Sequence, residues 1–374
     1  MKLLLLSVIA ALSERFFYIN ILLFKLSFGD LFLILVTPVL LFTKCKIHKL
    51  YFYLALFGFS VVVTSIASNN SFYGFNSLIS IPLKLLFVGF CYSYIVNSNN
   101  RSRNYMIFLI LTLMLCLVFI TGFPPFSLEL FNRNELSSYL ISLVFLLFTV
   151  GLLQGYSNNL PFIFVMLAML FLGFLFVESR QAVLSLLSVL AIYTLLSFKN
   201  ILYKLMISLT IAIILTVLYQ NPVSERSSAR INSIVDLEPA TRADKFRLDN
   251  LVFVIEAYDD KPLFGHGPTS FLRESPHNQV AHNTYFSTYY EYGFFGVMFL
   301  FTILYILCRP IIFFLKNKVK FPRKHRSELF LLSIFPISFI VQINFIESFG
   351  KMTIYIFILS AHLLLVQLKR MVEK

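Results

Sequence analysis

Charge is what this chain has least of. Only 13% of its 374 residues are charged, against roughly one quarter in soluble globular proteins. Acidic residues are scarcer than basic ones, 18 against 31, for a net charge of +13. The four cysteines, Cys45, Cys91, Cys116 and Cys308, lie in or beside apolar stretches at no ligand-like spacing. They imply neither a disulfide framework nor zinc. The chain has no HExxH motif, no DxD motif and no carboxylate pair at useful spacing, so no metal set is expected. It has no Walker loop and no dinucleotide fingerprint either, so neither nucleotide energy nor a cofactor is expected. No internal repeat of fixed period is visible.

Apolar sequence fills the space these absences leave. Hydrophobic residues make up 58% of the chain, and the mean hydropathy is +0.82. Runs of roughly 20 apolar residues read as spanning helices, because unpaired backbone groups cannot be left in hydrocarbon. The runs are continuously apolar rather than alternating, which argues against an outer-membrane barrel. The expected fold is therefore an all-α integral membrane protein of about 12 transmembrane helices with one long loop. The first span is expected over 2–23. The start resembles a signal peptide but lacks a small-x-small cleavage site, and apolar sequence follows directly, so the span is expected to be uncleaved.

The basic residues settle orientation. They gather in the short loops at 44–49, 101–103, 199–204 and 316–326 and in the tail. With twelve spans, all of these loops and both termini fall on one side, which the positive-inside rule makes cytoplasmic. The same placement argues against nucleic acid as a partner. The domain reading is 1–219 for helices one to nine, 220–281 for a large periplasmic loop with an amphipathic helix, and 282–374 for helices ten to twelve and the cytoplasmic tail.

That loop is the one long polar interval. From 220 to 296 it holds more than half of the acidic residues and three of the six histidines. Residues 242–258 carry apolar positions Phe246, Leu248, Leu251, Val252, Val254 and Ile255 at helical spacing, fitting a helix against the membrane face or the bundle. The following LFGHGPTSF, with Gly265 and Gly267, is a turn that can bring backbone amides close to a ligand.

Several residues could carry chemistry. Arg180 sits where one apolar span ends and the next begins. It is either an interfacial anchor or an anion clamp, since arginine cannot deprotonate and its planar fork suits phosphate oxygens. Arg242 and Arg247 would share one helix at the same surface. His282 stands where the loop enters an apolar helix, beside Asn283. A helix start favours anions and offers free amides, and a neutral imidazole can take a proton from a hydroxyl. His266 and His277 are rivals in the same loop, expected to be solvated. Lys84 lies inside the fourth span, either snorkelling towards the outer surface or serving as an intramembrane functional charge.

In this combination the residues resemble the O-antigen polymerase and O-antigen ligase superfamily. The resemblance rests on ESRQA at 178–182, on RLDNLVFVIEA and PLFGHGPTSF after it, and on His282-Asn283 followed by nine residues and Gly293-Phe-Phe-Gly296. It implies a metal-independent glycosyltransferase of the bacterial inner membrane with a GT-C-like fold and a periplasmic active site. The donor would be an undecaprenyl-diphosphate-linked oligosaccharide, and the acceptor a glycan or lipid A-core, with a chain-length regulator as a further partner. Arg180 and Arg247 would bind the diphosphate, His282 would activate the acceptor, and Asn283, Gly293 and Gly296 would shape the corner. Arg242 is a candidate without a secure match. A single in-line displacement would invert the anomeric carbon. Polymerisation of repeat units is favoured over ligation. A lipid-linked glycan flippase or transporter is a more distant alternative, since it would keep its ionisable residues near the midplane of the bundle.

Overall fold

The computed structural model describes residues 18–21, 24–27, 33–35, 37, 47–69, 75–97, 110, 133–153, 185, 188–189, 191–192, 242–257, 259–277, 283–323, 325–343 and 352–373. The predicted spans that fall elsewhere lie outside these residues.

The chain's start departs from expectation. Most of the first span expected over 2–23 lies outside the described residues; within and just after it, β1 (Tyr18–Ile21) and β2 (Phe24–Ser27) form an antiparallel hairpin. The alternation explains it. Ile19 pairs with Leu26 and Ile21 with Phe24, while Asn20 pairs with Lys25 and Tyr18 with Ser27. Apolar positions therefore pair with apolar positions in alternation, a period of two rather than 3.6. Apart from this hairpin the described residues are consistent with an all-α membrane protein.

The rest of the described fold is helical. It comprises α1 (Lys49–Asn69), α2 (Phe75–Asn97), α3 (Arg133–Leu153), α4 (Arg242–Glu256), α5 (Ser270–Glu274), α6 (Thr284–Asn317), α7 (Arg326–Ile334), α8 (Pro336–Gln342) and α9 (Met352–Glu373). Among the described residues, four helices are long and apolar enough to cross a membrane: α1, α2, α6 and α9. Shorter apolar helices cover 140–153 and 329–342.

Packing follows sequence chemistry. Gly58 of α1 lets α2 and α6 close in, since a Cβ there would meet Ile81 at 3.0 Å and Phe299 at 3.1 Å. At the Lys49 end of α1, His362 of α9 lies 3.2 Å from the Tyr51 hydroxyl and stacks on Tyr92 of α2 at 4.2 Å. Those contacts join three helices at one end of the bundle. The site is built at the other.

Candidate functional site

The two halves of α6 meet at Gly293, whose φ of 60° and ψ of −153° are essentially reserved for glycine. In an unbroken helix the amides of Phe294 and Phe295 would bond the carbonyls of Tyr290 and Glu291. Here they bond Pro262 O at 2.8 Å and Leu263 O at 3.4 Å. The two freed carbonyls accept instead from His266 N at 2.8 Å and Gly267 N at 3.0 Å. The turn at 261–267 and the broken helix thus exchange four backbone bonds reciprocally.

Glycines make this approach possible. A Cβ on Gly265 would lie 2.5 Å from backbone atoms of Glu291 and Tyr292. One on Gly296 would lie 3.0 Å from Thr288 O. Positive φ at Gly265, Gly267 and Thr269 curls the turn. The end of α1 fastens it further. Ser65 Oγ donates to Glu291 O at 2.6 Å, Asn69 Nδ2 donates to Gly265 O at 2.7 Å, and Lys261 Nζ bonds Asn69 Oδ1. The amides expected to face a ligand are therefore bonded within the protein. Gly265 N goes to Lys261 O, while the amides of His266 and Gly267 go to α6.

The α6 start is equally self-contained. Asn283 is its N-cap, accepting from Tyr285 N at 2.9 Å and Phe286 N at 3.2 Å. Thr284 N bonds Ile343 O at 2.8 Å and Ser287 N bonds Asn283 O at 3.1 Å. All four leading amides have partners, so the expected free amides are not there. What remains for an anion is the helix dipole.

α4 is pinned by side chains. Phe253 and Val254 pack with Phe271 and Tyr290, leaving the row Leu248, Val252 and Ile255 exposed. His277 is not simply solvated. Its Nε2 lies 2.8 Å from Asp249 Oδ2, and its ring sits 3.9 Å from that of Phe246. His266 departs from expectation too. It stacks on Tyr290 at 4.3 Å, its Nδ1 is 3.8 Å from Glu274 Oε2, and Tyr290 donates to the same carboxylate oxygen at 2.8 Å. Burial lowers the His266 pKa below its ordinary 6.5, with Glu274 opposing the shift.

Of the cations named from sequence, Lys84 is enclosed by the bundle at 1% exposure, which places it inside the protein rather than reaching for the surface. Arg242 and Arg247 lie on α4, and position 247 shares a helical row with buried Asn250 and Val254. Arg180 and His282 lie outside the described residues, but close chain neighbours of both are described. Ser185, five positions after Arg180, accepts a hydrogen bond from Gln342 Nε2 at 3.3 Å. Thr284, two after His282, bonds Ile343, the residue following Gln342. The end of α8 thus joins the segment after Arg180 to the start of α6. Gln342 escaped notice as one amide in an apolar run. An uncharged polar group inside a span was the signal available for it.

With that geometry in place, the family comparison is informative. Residues 143–301 match the family model described as O-antigen ligase. This match supports the O-antigen polymerase and ligase superfamily. It covers α4, the turn, the Gly293 break and the first part of the crossing helix. No curated protein matches the chain. A match to the O-antigen ligase model implies, at a coarse level, a glycosyltransferase-like enzyme, and with the apolar helices it fits a multi-pass membrane protein. Among the described residues no cluster of histidine, cysteine and carboxylates could hold a metal.

Proposed function

We propose that the chain is a metal-independent, inverting glycosyltransferase of the bacterial inner membrane that polymerises lipid-linked repeat units. Undecaprenyl-diphosphate-linked glycan is the donor, and the turn and the α6 start lie at the periplasmic face. The supporting observation is the α8 junction. It ties the segment following Arg180 to the helix start following His282, while His277 and Tyr290 hold α4 against the same structure.

The chemistry suits such a site. As the glycosidic bond breaks, negative charge grows on the leaving diphosphate, and fixed cations are worth most where charge develops. Arg180 and Arg247 supply them, with Arg242 as a further candidate. His282 takes the proton from the attacking hydroxyl. Asn283 fixes the helix start next to it, and Gly265, Gly267, Gly293 and Gly296 let turn and helix meet. Lys84, buried in α2, is a further candidate cation. Ligation to lipid A-core would use the same donor and the same groups, and remains the second reading within the family.

The test is transfer by purified protein given an undecaprenyl-diphosphate-linked repeat unit, with and without lipid A-core, in excess chelator. Chain growth without core supports polymerisation, and products on core alone support ligation. His282→Ala should cost about two to four orders of magnitude in rate. A fully active variant would remove His282 from the chemistry, and inhibition by chelator would overturn the metal-free reading.

A further inference from the structure

Gln342 is fully buried, at 0% exposure, at the last turn of α8. Its Nε2 donates to Ser185 Oγ at 3.3 Å, but its Oε1 is buried with no hydrogen-bond partner among the described residues. Across the Thr284–Ile343 bond, one turn further along α6, Thr288 is also fully buried, and its Oγ1 has no partner among the described residues. Two orphan polar atoms therefore flank one helix junction. A buried acceptor left unmade costs about 1–3 kcal/mol, so apolar side chains of the same shape would be expected there unless something completes the bonds. An amide oxygen accepts, and a threonine hydroxyl both donates and accepts. Together they match a hydroxyl-bearing ligand rather than an anion, since an amide oxygen repels phosphate.

We infer that Gln342 and Thr288 bind hydroxyl groups of the glycan at the α6–α8 junction and so help to set which sugar is accepted. This rests on the glycosyltransferase reading and adds to it two specificity residues that the arginine and histidine positions do not include. Neither residue is assigned a role in the bond-making step.

The experiment compares Gln342→Met and Thr288→Val, each close in shape to the native residue, with Ser185→Ala. Each is measured for KM and kcat with undecaprenyl-diphosphate-linked repeat unit, and for inhibition by sugar-free undecaprenyl diphosphate. Loss of one neutral hydrogen bond should raise KM for the glycan donor about fivefold. Inhibition by the sugar-free lipid and the thermal midpoint should hold. Ser185→Ala, which removes the tie to Gln342, should leave KM unchanged. The inference is overturned if Gln342→Met keeps the native KM, as it would were Oε1 met only by water. It is also overturned if Ser185→Ala reproduces the shift, which would make Gln342 a strut. Should Gln342→Met not accumulate, Thr288→Val decides by the same two criteria. A wild-type protein that turns over no lipid-linked glycan would instead defeat the underlying reading.

Discussion

A Cβ placed on Gly293 would lie 2.6 Å from the backbone nitrogen of Gly265, closer than real side chains come. The two glycines share one space, and neither can grow without parting the turn from the helix. Gly293→Ala should therefore destabilise the protein by several kcal/mol, combining a backbone conformation reserved for glycine with a clash against main chain that has no rotamer to escape into. Gly265→Ala should behave similarly. Thermal unfolding of the purified protein checks both, and a native midpoint for Gly293→Ala would contradict the described exchange of bonds.

The arginines separate clamp from anchor. If Arg180 and Arg247 hold diphosphate through two parallel bonds, replacing either by lysine keeps the charge but loses the fork. Transfer should fall by about 10- to 100-fold at normal protein levels, the range for a hydrogen bond to a charged group. An interfacial anchor would tolerate lysine, so full activity in either variant returns that residue to a structural role.

Acid should loosen the turn through His266. Its pKa is lowered by burial, so below its ordinary value near 6.5 the unfolded chain binds a proton that the folded one refuses. The stability it contributes is complete above that value and is lost as pH falls towards the lowered one. The thermal midpoint should drop between pH 7.5 and 5.5, and His266→Phe, which keeps the stack on Tyr290, should flatten that part of the profile. An identical slope in the variant would assign the effect elsewhere.

His277 should matter locally rather than globally. Its bond to Asp249 is partly exposed, at 25% and 34%, and such pairs contribute about 1 kcal/mol or less. His277→Ala should leave the thermal midpoint nearly unchanged while speeding hydrogen exchange across 242–256. Unchanged exchange would show that the aromatic contacts hold α4 by themselves.

Orientation is open to a direct check. Reporters fused near Ser228 and Lys320 should report the periplasm and the cytoplasm, since Lys316, Lys318, Lys320 and Arg323 crowd the second position. The same side for both would sink the proposed outer site and the span count together.

Much of this was legible in the residues, for physical reasons. Long apolar runs predicted α1, α2, α6 and α9, because hydrocarbon permits few alternatives. The 3.6-residue spacing of Phe246, Val254 and their neighbours predicted α4, and PLFGHG predicted the turn. Composition hid the hairpin, since Ile19, Ile21, Phe24 and Leu26 suit a strand face and a spanning helix equally. What spacing could not show was which backbone group would answer which. The amides of Gly267 and of the α6 start read as available to a ligand, yet each is met by a carbonyl or cap oxygen, because a buried amide is rarely left open. Pairings such as Ser65 with Glu291 or Gln342 with Ser185 join residues 226 and 157 apart, and no local pattern announces them.

The reciprocal bonds between the turn and the broken helix also bear on the order of assembly. They join residues only some 24 to 32 positions apart, so closing that loop costs little chain entropy. The ties from Ser65 and Asn69 reach about 200 positions back along the chain. The knot around Gly293 can form as a local unit soon after its residues emerge, and α1, already made, has then only to dock against a finished surface.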